Sequence, residues 1–183
     1  PAAYARDFYF RVADEMDVDC VFLGEVVCSK RQPFHAPYYR EVIERLQQAG
    51  KRVIFSTQAL INSHKEREKV LESLRQHLDL LIELNDLSLL THLSEASFAI
   101  GPYINIYNES TLKWLEAKGA TLVTLPFELS RQTLQVLAQS ATASLAVHVF
   151  GRMPLAISAR CYHARAFHLP KKSCLFVCGK HTD

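Results

Sequence analysis

GKRVIFS (residues 50–56) joins a glycine to a short run of β-branched and aromatic residues. Glycine often follows the last turn of a helix, because it adopts the left-handed conformation without strain. A short apolar run such as 52–56 predicts a buried strand. The stretch is therefore interpreted as the end of a helix, a tight turn and the start of a strand.

The same alternation continues in both directions along the chain. Strand-like runs begin about every 18 to 32 residues, and the segments between them have helical periodicity, which is typical of parallel βα units. Asn108 and Ser130 are predicted helix N-caps, and Gly119 is predicted to end a helix. The predicted strands are 20–23, 52–56, 80–84, 98–100, 121–125 and 144–149. The predicted helices are 3–16, 38–49, 64–78, 87–94, 110–118 and 131–139.

Almost continuous apolar character in six strands predicts a sheet that is buried on both faces. The predicted fold is α/β, a TIM-barrel-like (β/α) domain that is incomplete in this chain, and an open doubly wound sheet is the alternative. We expect one domain over residues 1–183, with a cysteine-rich segment at 150–178. We also expect the chain to be truncated at both ends relative to the complete protein.

Composition and charge narrow the classes of function. The net charge is only +2, whereas a surface that binds nucleic acid would show a clustered basic stripe, so we predict no DNA partner. No run reaches eighteen apolar residues, so no transmembrane segment is predicted. The five cysteines do not form the framework of a small secreted protein, which favours the reducing cytoplasm.

Polar residues follow the predicted strands, where both candidate folds collect their functional groups. Glu25, Glu83 and Glu128 are candidates for acid–base work, although an ordinary loop or helix-start carboxylate is the commoner explanation for each. The catalytic residues remain unknown at this level. His148 lies within an apolar run and is predicted to be a hydrogen-bonded core histidine.

The cysteines suggest a metal site. Cys161, Cys174 and Cys178 lie close together in the sequence, and thiolates that converge on one ion favour zinc or an iron–sulfur cluster. Cys28 is the better fourth ligand, because it follows the first strand, where a barrel gathers its loops. Cys20 begins that strand and is assigned to the core.

Spacing alone leaves the metal open. Collection of distant cysteines favours a 4Fe-4S cluster over zinc, which usually binds paired C-x2-C hooks, and unmetallated thiols remain an alternative. Basic residues surround these cysteines and would suit a negatively charged cluster or an anionic substrate, but a solvated basic face is an equal reading. They are Arg152, Arg160, Arg165, Lys171 and Lys172.

Four stretches resemble one branch of the collagenase-like peptidase family, which serves O2-independent ubiquinone biosynthesis. They are VFLGEVVCSKR (21–31), YINIYNESTLKWL (103–115), PFELS (126–130) and FGRMPLAISARCYHAR (150–165). The resemblance implies a TIM-barrel-like domain in which Cys28, Cys161, Cys174 and Cys178 hold a 4Fe-4S cluster. It also implies a heterodimer with a sister iron–sulfur protein, a lipid-binding accessory protein and hydroxylation of a ubiquinone precursor.

Two other functions remain open. One is a hydroxylase relative that modifies RNA, which would need a basic surface with salt-dependent binding. The other is a non-catalytic iron–sulfur subunit that serves its partner. Peptidase activity is not expected, because the sequence shows no recognisable arrangement of a nucleophile and a base.

Overall fold

Six parallel strands lie side by side in chain order, β1 to β6, within the part of the chain that the structure describes. The structure is a computed structural model, and it describes residues 2–93, 96–170 and 173–179. The sheet curls into a half-barrel, as predicted for an incomplete (β/α) barrel. The strands are β1 (Cys20–Leu23), β2 (Arg52–Ser56), β3 (Leu81–Leu84), β4 (Phe98–Ile100), β5 (Ala120–Thr124) and β6 (Ser144–Ala146).

Helices alternate with these strands. They are α1 (Ala2–Glu15), α2 (Gln32–His35), α3 (Tyr39–Gln48), α4 (His64–Arg75), α5 (Glu109–Ala117), α6 (Arg131–Ser140) and α7 (Tyr162–Ala166). Short 3-10 turns occur at Ala36–Tyr38, Leu87–His92 and Val177–Gly179. None of the helices in the described ranges is long and apolar enough to cross a membrane.

Local sequence signals determine where several helices begin and end. The side chains of Asn108 and Ser130 accept hydrogen bonds from the backbone N–H groups of Thr111 and Thr133, which confirms both predicted N-caps. Gly119 follows α5 with a φ of +108°, as expected for a helix-ending glycine. These short-range contacts set the length of each helix and therefore the spacing of the strands.

The main hydrophobic core lies between the outer face of the sheet and the helices. Parallel register places Leu23 beside Phe55 and Ile82 beside Phe98, so their side chains share this face. Leucines of the helices are fully buried against them, and each such burial stabilises the fold by roughly 2 kcal/mol. The helical leucines include Leu46, Leu112, Leu115 and Leu137.

The inner face is buried only in the middle of the sheet. Strands β2 to β4 are almost wholly buried, as predicted, whereas Phe22 on β1 and all three residues of β6 retain exposed surface. The prediction of two buried faces is therefore wrong for the outermost strands. These strands form the two edges of the curled sheet, and their inner-facing side chains border an open groove.

Three further predictions need correction. The predicted strand 144–149 ends at Ala146, and His148 is exposed rather than part of the core, because it faces that groove. In place of the predicted helix 87–94 the structure has a 3-10 turn at Leu87–His92, and Ser94 lies outside the described residues. Helices α2 and α7 were missed, because four or five residues are too short to show periodicity.

Gly24→Ala is expected to lower the free energy of unfolding by roughly 3 kcal/mol, since overpacking is costly. Gly24 has a φ of +155°, and an added Cβ would overlap the carbonyl oxygen of Ser56 on β2. Gly50→Ala is the matched control, because Gly50 has a φ of +77° but no atom within 4 Å of the added Cβ. Its expected cost is about 1 kcal/mol. Urea unfolding measures both, and equal losses would contradict the close packing of Gly24 on β2.

Candidate functional site

The carboxyl ends of the strands carry two distinct features. One is a groove of ≈ 600 Å³ at the mouth of the half-barrel, which we call the mouth groove. It is lined by inner-facing residues of the strands and by the segments that follow them, including Phe22, Glu83, Asn85, Tyr103, Phe127 and Arg152. The other is the loop after β1, residues 24–31, against which the cysteine-rich end of the chain lies.

A buried polar network forms the floor of the mouth groove. The hydroxyl of Thr57 donates to the carbonyl oxygen of Glu83 at 3.0 Å and accepts from the backbone N–H of Asn85 at 3.1 Å. The Asn85 side-chain amide donates to the Thr57 carbonyl oxygen at 3.2 Å and to Glu83 Oε2 at 3.0 Å. Three of these four hydrogen bonds link the end of β2 to the end of β3, and the fourth joins Asn85 to Glu83 within the end of β3.

Gly101 makes room for this network. It follows β4, and its backbone N–H donates to the carbonyl oxygen of Leu84 at 2.8 Å. A Cβ at this position would overlap the side-chain oxygen of Asn85, which is only 1% exposed. Glycine is required here because the amide of Asn85 packs directly on the backbone of the neighbouring strand.

Glu83 is the acid–base candidate that the fold places in the groove. Its side chain is 5% exposed, and this burial raises the pKa of the carboxyl group, whereas hydrogen bonds from Ser56 and Asn85 act in the opposite direction. Tyr103 lies on the same groove, where burial and the charge of Glu83 raise the pKa of its phenol. A buried carboxyl that retains its proton more easily can donate as well as accept a hydrogen bond.

Glu25 instead organises the loop after β1. Its Oε1 accepts from the backbone N–H groups of Val27 at 3.1 Å and Cys28 at 2.8 Å, and from the Arg31 guanidinium at 3.0 Å. His35 approaches the other carboxylate oxygen at 4.0 Å. The carboxylate therefore fixes the backbone conformation of the loop at Val27 and Cys28. Glu128, the third acid–base candidate, is exposed and accepts a hydrogen bond from the hydroxyl of Tyr107.

The rest of the structure also holds this loop in place. Ser29 donates its hydroxyl hydrogen to Glu66 Oε1 at 2.7 Å, near the start of α4. The carbonyl oxygen of Val26 accepts from the backbone N–H of Ala59 at 2.8 Å. Residues 24–31 are therefore anchored on both sides, and Cys28 has a defined position.

Residues 173–179 lie against this loop. Lys30 Nζ is 3.9 Å from the sulfur of Cys174, and the rings of Phe34 and Phe176 pack edge to face with centroids 5.1 Å apart. Burial opposes the charge of Arg31, but Glu25 and the neighbouring side chains of Cys28 and Cys178 together raise the pKa of its guanidinium. Cys28 therefore lies near the same basic residues, Lys30 and Arg31, as Cys174 and Cys178, although it is far from both in the sequence.

Cys161 and Cys20 occupy different positions. The sulfur of Cys161 accepts from the backbone N–H of Ala164 at 3.4 Å at the start of α7, and α7 contacts the Val177–Gly179 turn. Cys20 lies at the opposite end of β1 from Cys28. It is half-buried rather than fully in the core, and burial, the largest effect, raises the pKa of its thiol. The prediction that Cys20 belongs to the core therefore needs correction.

The four predicted ligands do not converge on one point. Within residues 2–93, 96–170 and 173–179, no three His, Cys, Asp or Glu side chains are arranged to hold a metal ion. Leu175 and Phe176, between Cys174 and Cys178, have φ values of 51° and 50°, which are strained for bulky residues. Lys171 and Lys172 lie outside the described residues, so their predicted place beside the cysteines stays a prediction.

Two parts of this arrangement are not predictable from the sequence patterns. One is the contact between Glu25 and Arg31, and the other is the row of rings Tyr103, Phe127 and His148 on the mouth groove. Each joins residues by loop geometry, which no periodic pattern encodes. The opposite charges of Glu25 and Arg31 in one short loop were the single available signal.

The fold and the strand-end groups define an α/β protein of the (β/α)-barrel class. The model of the family described as peptidase family U32 matches residues 9–181. The chain belongs to this family, and the predicted membership of the collagenase-like peptidase family is therefore confirmed. No solved structure matches the chain.

Glu83→Gln is expected to stabilise the protein increasingly as the pH rises from 4.5 to 8. Because the folded-state pKa is raised, the native protein binds this proton more tightly than the unfolded chain. The contribution of Glu83 to stability is therefore complete below the unfolded pKa of about 4.3 and is lost as the pH rises through the folded pKa. Urea unfolding at several pH values measures the difference between variant and wild type.

The control for this experiment is Glu15→Gln, since Glu15 is exposed and pairs with Arg11 on the surface of α1. Its difference from wild type should show no comparable increase with pH. A Glu83→Gln difference that stays constant from pH 4.5 to 8 would contradict the raised pKa.

Glu25→Ala is expected to accelerate amide hydrogen exchange at Val27 and Cys28 by about tenfold or more, since each lost hydrogen bond to a carboxylate is worth about 1.5–3 kcal/mol. Glu116→Ala is the matched control, because Glu116 Oε1 accepts from the backbone N–H groups of Thr142 and Ala143 at 2.7 and 2.8 Å. Each variant should affect only its own pair of amides. Unchanged amide hydrogen exchange at Cys28 in Glu25→Ala would contradict the role of Glu25 in holding this loop.

Proposed function

We propose that this chain is a UbiV-type subunit of an O2-independent hydroxylase that acts on ubiquinone precursors. In this proposal it works in the cytoplasm as a heterodimer with a UbiU-like protein, together with a lipid-binding accessory protein. Cys28, Cys161, Cys174 and Cys178 hold a 4Fe-4S cluster. The proposal rests on the resemblance of the four quoted stretches, on family membership and on the arrangement of the cysteines.

The observation that carries the proposal is the contact of residues 173–179 with the loop after β1, around Lys30 and Arg31. Cys174 approaches Lys30, while Cys28 and Cys178 both act on the charge of Arg31. The packing of the helices on the sheet does not by itself require residues 173–179 to lie on the loop after β1. A shared ligand gives this contact a chemical reason.

The donor set suits the cluster. Four thiolates are the usual ligands of a 4Fe-4S cluster, which supplies one-electron redox chemistry when it is bound. The strained backbone at Leu175 and Phe176 is also of the kind that persists where the surroundings hold a functional loop in place.

The remaining residues of this corner have definite tasks in the proposal. Glu25 holds the backbone of Cys28 and pairs with Arg31, so the loop keeps one conformation. Lys30 and Arg31 place positive charge beside thiolates, which lowers the cost of gathering several negative sulfurs. These residues would affect cluster stability without contacting a substrate.

The test is anaerobic purification of the intact protein, followed by iron, sulfide and zinc analysis. About four irons and four sulfides are expected in the wild type. Cys28→Ala should lose most of the iron, because three thiolates hold the cluster poorly. Cys20→Ala is the matched control and should retain it, since Cys20 lies at the other end of β1.

Each alternative predicts a different result. Zinc without sulfide would replace the redox cluster by a structural zinc site, and loss of iron in Cys20→Ala but not in Cys28→Ala would overturn the choice of the fourth ligand. Salt-dependent binding of RNA by the intact protein would favour the RNA-modifying relative. Hydroxylation catalysed by the isolated partner protein would show that this chain is a non-catalytic subunit.

A further inference from the structure

The mouth groove has the size and the lining of a small-molecule site. Its volume of ≈ 600 Å³ falls within the range of about 300–1,000 Å³ that ligand pockets occupy. Most of its wall is apolar or aromatic, Glu83 and Asn85 lie on its floor, and Arg152 and His148 line its rim. Such a division between apolar walls and a few fixed polar groups is typical of sites that orient a ligand.

Aromatic rings line the groove from both halves of the sheet. Tyr103 and Phe127 meet edge to face with centroids 5.8 Å apart, and Phe127 meets His148 in the same way at 5.3 Å. Phe22 on β1 also lines the groove and is 39% exposed. A flat ring that entered the groove would bury these surfaces and gain edge or stacking contacts.

The floor favours a hydroxyl group on that ring. Asn85 donates to one oxygen of Glu83, and its amide cannot turn over without losing its second bond, to the carbonyl oxygen of Thr57. The carboxyl group of Glu83 is thereby held in one orientation, and Glu83 lines the groove. A hydroxyl suits this partner in either protonation state, because it accepts from the acid and donates to the carboxylate.

We propose that the mouth groove binds a hydroxylated aromatic ring, with the ring against Phe22 and Phe127 and the hydroxyl on Glu83. This inference deepens the proposed function, since it assigns the aromatic substrate of that reaction to this groove. Binding itself needs no metal, because all of the contacts come from the half-barrel. The two proposals can therefore fail separately.

The test uses three small probes on the intact protein, with affinities measured by calorimetry. 4-Hydroxybenzoate carries the ring and the hydroxyl, benzoate lacks the hydroxyl, and cyclohexanecarboxylate lacks the flat ring. We expect 4-hydroxybenzoate to bind about tenfold more tightly than benzoate, as one hydrogen bond to a carboxyl group allows. Benzoate should bind more tightly than cyclohexanecarboxylate.

Two variants separate the roles of wall and floor. Phe127→Leu should weaken both aromatic probes by about three- to tenfold while keeping the preference for the hydroxyl. Glu83→Met should abolish that preference, and the ratio of affinities is the readout because loss of a carboxylate also changes the affinity for any anion. Phe8→Leu, on the exposed face of α1, is the control and should change neither value.

Cys28→Ala distinguishes this proposal from the cluster proposal. If the variant lacks iron and still binds 4-hydroxybenzoate with the wild-type preference, binding in the groove is independent of the cluster and the groove assignment stands. Equal affinity for 4-hydroxybenzoate and benzoate in the wild type, or an unchanged preference in a folded Glu83→Met protein, would overturn the assignment. Unchanged binding of the aromatic probes by Phe127→Leu would show that the ring of Phe127 does not contact the ligand.

Discussion

Parallel register between β1, β2 and β3 is the constraint on which the functional end of this protein depends. The pairing of Leu23 with Phe55 and of Ser56 with Glu83 brings Gly24, Ser56 and Glu83 to the same end of adjacent strands. A shift by one residue would turn Glu83 into the hydrophobic layer under the helices, where a carboxyl group has no hydrogen-bond partner. Because burial of the apolar outer face fixes the strand register, it also fixes which polar side chains lie on the inner face.

Both functional features arise from this register. The hydrogen bonds among Thr57, Glu83 and Asn85 form only because the ends of β2 and β3 are level. The loop that carries Cys28 leaves β1 directly beyond Gly24, whose missing side chain lets β1 approach β2 closely. The rigid middle of the sheet thus supports a groove on one side and a cysteine-bearing loop on the other, and the two can be considered separately.

Local patterns predicted most of the framework. All six strands were found, because β-branched runs between helical segments have few alternative structures, and Asn108 and Ser130 set helix starts through contacts only three residues long. The candidate site was predictable in part, since Glu83 and Cys28 follow strands and strand ends meet in this fold. The role of Glu25 was not, because three of its partners are defined only by the path of the loop.

The sequence by itself determined the alternation of helices and strands, the family and the residues that could supply chemistry, because each depends on residue type and short spacing. Only the tertiary structure decided which of those residues meet. It exposed His148, buried Glu83 and brought residues 173–179 to Lys30 and Arg31. The reason is physical: burial and long-range contact depend on the curl of the sheet and on its open edges, and neither is encoded in any single segment.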